Sequence, residues 1–181
     1  MRDRRTAVCA LALALPVLLV GCGGDDDEPP PVAPTPTEAL WNPCDAFDAK
    51  DVGREFGGAV TKDDGTPTSP LCSFSPTAKG DPVVDANYQI YAAGLDKIFE
   101  TLGHSETATV RSPKVPGADD ARVVIDADDH QLYVSGFVQN GDLIQTVDAI
   151  DPAPYDRDRA VRAVTWALGR LSEHARGAEI S

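Results

Sequence analysis

Four cysteines, three histidines and 29 carboxylates are the side chains of this sequence with chemistry to offer. Thiols serve as nucleophiles, metal ligands, attachment points or disulfide halves, and imidazoles and carboxylates as acid–base groups or ligands. The histidines do not converge. His104 follows the expected stop of a helix beside Ser105 and Glu106; a Ser–His pair one residue apart is no triad, and the position reads as a solvated loop. His130 follows Asp128-Asp129 at a turn or strand edge, and His174 lies on a late helix. No Gly-x-Ser-x-Gly, Ser-x-x-Lys or His-Glu-x-x-His segment occurs, and no glycine-rich phosphate loop. Paired carboxylates stand at Asp63-Asp64, Asp119-Asp120 and Asp126 with Asp128-Asp129. A glycosidase needs two carboxyls about 5–10 Å apart in unequal surroundings, and acidic turns supply the spacing without the surroundings. Asp126-Ala127-Asp128-Asp129 alternates acids like the start of a calcium loop. Gln131 and Phe137, however, stand where that loop needs glycine and glutamate. The residues therefore predict a strand-connecting turn there, and no catalytic group, metal or cofactor.

Cys22 has a different context. Met1-Arg2-Asp3-Arg4-Arg5 is a short basic segment, and Ala7 to Val20 is an unbroken run of Ala, Val, Leu, Cys and Pro. The run is shorter than the roughly 20 apolar residues that span a bilayer, so it reads as a signal peptide. Leu19-Val20-Gly21-Cys22 resembles the bacterial lipobox. That implies cleavage after Gly21 and a diacylglyceryl group on the Cys22 thiol, palmitate being a typical acyl chain of such a lipidated cysteine, with the chain anchored at the extracytoplasmic face of the cell membrane. Residues 1–21 are the expected signal peptide. Their loss removes three Arg and one Asp and takes the formal charge from −13 to −15. Such an acidic chain has no electrostatic reason to bind nucleic acid. Residues 22–39 hold an acidic run and five prolines without a large side chain after Cys22 other than Val32. This composition predicts a disordered or polyproline-like tether.

Residues 40–181 are enough for one domain with a genuine core. With Cys9 removed and Cys22 acylated, Cys44 and Cys72 remain, and outside the cytoplasm they are expected to form a disulfide. A metal site built on these two has no histidine near either cysteine.

The local patterns predict an α+β domain: an antiparallel sheet of five to six strands with about three helices, the last one long. Asp48 and Asp51 suit a capped helix start, Phe47 and Val52 a hydrophobic staple, and Gly57-Gly58 a stop. Strands are expected at Leu71–Ser75, Val84–Ala92, Thr107–Arg111 and Arg122–Asp126, with a helix from Leu95 to Leu102. Asn140-Gly141 predicts a tight hairpin pairing residues 132–139 with 142–149. In that register Val138 faces Leu143 on one side of the sheet and Phe137 faces Ile144 on the other, beside Tyr133. A helix covers Asp156–Ala175, with Val161, Val164, Leu168 and Leu171 on one stripe. Tyr133, Phe137 and Ile144 are the candidate ligand-facing residues; they either lie under a helix or line a groove.

Trp41-Asn42-Pro43-Cys44, a helix directly after it, Leu71-Cys72-Ser73-Phe74, Val115-Pro116-Gly117-Ala118-Asp119-Asp120-Ala121 and a C-terminal helix occur in that order. This arrangement resembles the actinobacterial cell-envelope lipoproteins of unknown function that open with a Trp/Phe-Asp/Asn-Pro-Cys segment. It departs from them at Ser73-Phe74, where a residue and then Trp is usual, and at Ala118, where Leu is. A looser similarity to Mog1/PsbP-like domains implies an antiparallel sheet between helices. The resemblance implies an extracytoplasmic domain without assigned activity. The functional expectation is a non-enzymatic binding or accessory module with an envelope lipid, glycan or protein partner. The alternatives are a structural component of an envelope complex and a wall-glycan hydrolase.

Overall fold

The Trp-Asn-Pro-Cys segment has a mechanical explanation. Asn42 is extended, and its side-chain oxygen accepts the Cys44 N–H at 2.9 Å. Pro43 then starts a turn of 3-10 helix (Pro43–Ala46), where a missing N–H costs no bond. The other end of the Asn42 amide donates to the Asp64 carbonyl at 2.8 Å. Trp41 stacks on His174 and meets Tyr88 edge-on, with centroids 5.2 and 5.0 Å away. The computed structural model describes residues 41–178. The expected signal peptide, the expected lipidation site Cys22 and the expected tether 22–39 lie outside the described residues.

Asp48 caps α1 (Ala49–Phe56), accepting the Lys50 N–H at 2.8 Å, and Gly57 ends it in the left-handed conformation at φ +98°. Strands β1 (Val60–Thr66), β2 (Ser69–Pro76) and β3 (Val83–Ile90) follow, then α2 (Gly94–Leu102) and strands β4 (Thr109–Arg111), β5 (Asp120–Ala127), β6 (Gln131–Asn140) and β7 (Leu143–Pro152). The chain ends in the 21-residue α3 (Arg157–Gly177), whose cap Asp156 accepts the Arg159 N–H at 2.9 Å. All strand pairs are antiparallel, in one sheet of order β1-β2-β3-β7-β6-β5-β4. The α+β expectation holds, with one strand more than the sequence suggested. The extra strand is β1, a polar edge strand with a bulge between Asp63 and Gly65. Edge strands carry charges and bulges against stray pairing, so β1 lacks the apolar alternation that marks the other strands.

The two faces differ. On one, Val164, Leu168 and Leu171 of α3 share the main core with Val134, Val138 and Val147, and α1 and the 3-10 turn cover the rest. Cys44 and Cys72 are fully buried here and joined by a disulfide. The opposite face carries only α2, in a smaller core of Leu95, Ile98, Phe137 and Ile144. The expected hairpin is present but shifted: Asn140 pairs with Leu143, so Gly141 (φ +58°) and Asp142 form the turn. Phe137 therefore pairs with Thr146 rather than Ile144, and Val138 with Gln145 rather than Leu143. The displacement is even, so every side chain keeps its face. The cause is a second use for Asn140. It is buried, donates to the Gly117 carbonyl at 2.9 Å and the Ser172 hydroxyl at 3.1 Å, and accepts from Gln145 at 3.2 Å. These bonds hold the 115–118 loop to the sheet and α3.

Candidate functional site

The helix α2 is held over the sheet by side chains of the strands beneath it. Its cap residue Ala93 offers no side-chain acceptor; Gln139 of β6 supplies one, taking the Leu95 N–H at 2.8 Å. Arg122 of β5 reaches Asp96 at 2.7 Å and also pairs with Asp120. Nine residues of helix cannot cover seven strands. Where α2 ends, a half-open cavity of about 410 Å³ remains between its last turn and the sheet. Phe99, Leu102, Gly103 and His104 form the wall; Asn87, Gln89, Val124, Ser135, Phe137, Thr146 and Asp148 form the floor. Phe99 meets Phe137 edge-on at 6.2 Å and lies 5.2 Å from His104. The lining mixes aromatic rings with hydrogen-bonding groups.

Asp148, Ser135 and Val124 of the floor belong to a row that crosses the whole sheet. In register, Asp63, Ser73, Asp85, Asp148, Ser135, Val124 and Val110 are successive neighbours from β1 to β4. Two carboxylates, Asp85 and Asp148, thus stand directly opposite each other, where cross-strand Cβ atoms are about 4.5–5.5 Å apart. Each accepts a serine hydroxyl: Ser135 donates to Asp148 at 2.6 Å, and Ser73 donates to Asp85. Among the described residues neither carboxylate has a Lys, Arg or His ion-pair partner. Burial pushes the Asp148 carboxyl above the ordinary aspartate value; the Ser135 hydroxyl opposes this, and the Asp85 charge adds to it.

A carboxyl raised by folding makes its largest contribution to stability below its unfolded pKa. That contribution disappears as the pH rises through the folded value. Asp148→Asn is therefore expected to raise the unfolding free energy at pH 7, on the order of 1 kcal/mol once solvent screening is allowed for. The gain should vanish near pH 3. Urea unfolding at the two pH values measures this, and a variant less stable at pH 7 would contradict it.

The three aromatic and aliphatic residues picked out by sequence have different surroundings. Phe137 is on the cavity floor, and Ile144 lies fully buried beneath α2 with Leu95 and Ile98. Tyr133 is outside the cavity on the same face, 38 % exposed beside its cross-strand partner Ile150. His104, read from sequence as a solvated loop residue, is exposed and forms part of the wall. Asp85 and Asp148 escaped the sequence reading because a lone Asp in an alternating strand looks like a solvated polar position. Their register supplies the missing information. The acidic turn behaves as read: Asp128 accepts the His130 and Gln131 N–H groups at 2.7 and 2.9 Å, which lowers its pKa. Among the described residues, no group of three or more His, Cys, Asp or Glu side chains is placed to hold a metal ion. No helix among them is long and apolar enough to cross a membrane.

These features define an α+β domain with a seven-stranded antiparallel sheet and a mixed aromatic–polar cavity on its less covered face. No family model matches the chain, and neither do curated proteins or solved structures.

Proposed function

We propose that this chain is a lipid-anchored, extracytoplasmic binding module of the bacterial cell envelope, non-enzymatic, with its ligand site in the cavity at the end of α2. The anchor is Cys22. The lipobox-like segment and the resemblance to actinobacterial envelope lipoproteins support the location. The observation that carries the binding reading is the cavity's mixed lining, with Phe99, Leu102 and Phe137 beside Ser135, Thr146 and Asp148. A concave site of a few hundred Å³ with apolar walls and a few polar groups suits a small ligand.

Native mass spectrometry of the full chain taken from its own envelope tests this. A stoichiometric adduct is expected, lost in Phe137→Ala. A clean mass for the native-source protein would count against a tightly held ligand.

A second reading, as a wall-glycan hydrolase, is favoured by the Asp85–Asp148 pair and the raised Asp148 carboxyl. Retaining glycosidases hold two carboxyls about 5–5.5 Å apart, on either side of the bond they cleave. Here both rise side by side from adjacent strands of one sheet face, an arrangement better suited to gripping a group than to flanking a bond. Release of reducing ends from wall glycan by the chain, abolished in Asp85→Asn, would favour the hydrolase.

A further inference from the structure

The binding reading leaves the ligand's chemistry open, and the floor of the cavity narrows it. Asp148 lines the cavity, with Asp85 its neighbour in register on β3. Opposed like charges on a sheet destabilise it, and nothing among the described residues neutralises this pair. The hydroxyls of Ser73 and Ser135 take up one acceptor position on each carboxylate and bring no charge. Arg122, which sits opposite Phe137 on β5, is already engaged by Asp96 and Asp120. The wider field has the same sign, since residues 41–178 hold 22 acidic and 13 basic side chains. Acidic residues alone would make no site. Asp148, however, lines a cavity whose walls also include Phe99, Leu102 and Phe137, and Asp85 adjoins it across the β3–β7 register.

We propose that the cavity takes a small soluble amphipathic cation, its protonated amine or guanidinium set against Asp148 and Asp85 and its apolar body against Phe99 and Phe137. The inference rests on the binding reading above and adds the sign of the ligand's charge. A cation placed there meets two carboxylates already oriented by serine hydroxyls. Its apolar part meets the Phe99 and Phe137 rings, whose faces also attract cations. A neutral analogue of the same shape forfeits the first interaction, and an anion is repelled.

The test uses three probes of nearly equal size, phenylbutylamine, phenylbutanol and phenylbutyrate, titrated calorimetrically into the full chain at pH 7. Phenylbutylamine is expected to bind about tenfold more tightly than phenylbutanol, as one charge-assisted contact gives, and phenylbutyrate most weakly. Raising the salt from about 0.05 to 0.5 M should shrink the amine's advantage, because screening weakens partly exposed ion pairs. In Asp148→Asn the advantage of amine over alcohol should fall below twofold. Equal or tighter binding of the alcohol would overturn the charge inference and leave the binding reading intact. An amine preference that survives in both Asp148→Asn and Asp85→Asn would likewise overturn it. No saturable binding of any probe up to millimolar concentration would overturn both.

Discussion

Replacing Cys44 and Cys72 together by alanine is expected to destabilise the chain by about 3–4 kcal/mol, a large share of the roughly 5–15 kcal/mol that holds an ordinary domain folded. The disulfide closes a loop of 28 residues, and the chain-entropy relation gives that figure for such a loop. Its position makes the loss local as well. Cys72 is the register partner of Ala86 in the sheet, and Cys44 lies in the 3-10 turn. The bridge therefore ties the chain entry to the sheet on the same side as α3. Both cysteines are completely buried, so alanine also leaves unfilled volume. Urea unfolding of the oxidised chain, the double-alanine chain and the reduced chain measures the effect. A loss below about 1 kcal/mol would mean that the fold holds its entry segment without the bridge. Because both sulfurs are shielded from solvent, reduction should be slow until the domain opens, and a reductant alone should act at the rate of unfolding.

The bridge was legible in the sequence for a simple reason: once two cysteines are assigned elsewhere, two can pair in only one way. Helix ends were legible for a local reason too. Asp48, Gly57, Gly103 and Asp156 set backbone conformation through their own chemistry, and the structure uses all four near the helix ends expected. The α3 stripe was read from its period. What failed was anything decided by distant residues. Asn140-Gly141 is a good turn pair, yet Asn140 is drawn one place into β6 because Gly117 and Ser172, far along the chain, need its amide. Strand β1 has no apolar alternation because its role is to be a harmless edge. The candidate site depended on the same kind of information. Phe137 was picked out by its size, and its partner Phe99 lies on α2, which the sequence could not dock on the sheet. The facing of Asp85 and Asp148 is a fact of register between β3 and β7, 63 residues apart in the chain.

Gly136 offers the sharpest test of how β6 meets α3. A glycine inside a central strand weakens it by entropy and lost packing, so its presence asks for a reason. The reason here is proximity. A Cβ on Gly136 would stand 2.4 Å from Val164 Cγ1 and 3.1–3.2 Å from the two Leu168 methyls, closer than van der Waals contact. Val164 and Leu168 are fully buried and cannot swing into solvent. Valine is also stiff at χ1, so relief requires α3 to lift from the sheet. Gly136→Val is expected to cost about 3 kcal/mol, at the upper end for an overpacked core, and Gly136→Ala less. If close approach is the cause, shaving the opposing residue should help. Val164→Ala alone destabilises by leaving a cavity, yet Val164→Ala combined with Gly136→Val should be more stable than the sum of the two effects predicts. A coupling of about 1 kcal/mol or more in a double-mutant cycle is the expected result. Additive losses would mean that Gly136 is retained for backbone conformation rather than for contact with α3. The same cycle bears on the cavity, because β6 carries Gly136 on one face and Ser135 and Phe137 on the other. A strand pushed by α3 moves the floor of the site, so Gly136→Val should also weaken ligand binding although Gly136 faces away from the cavity.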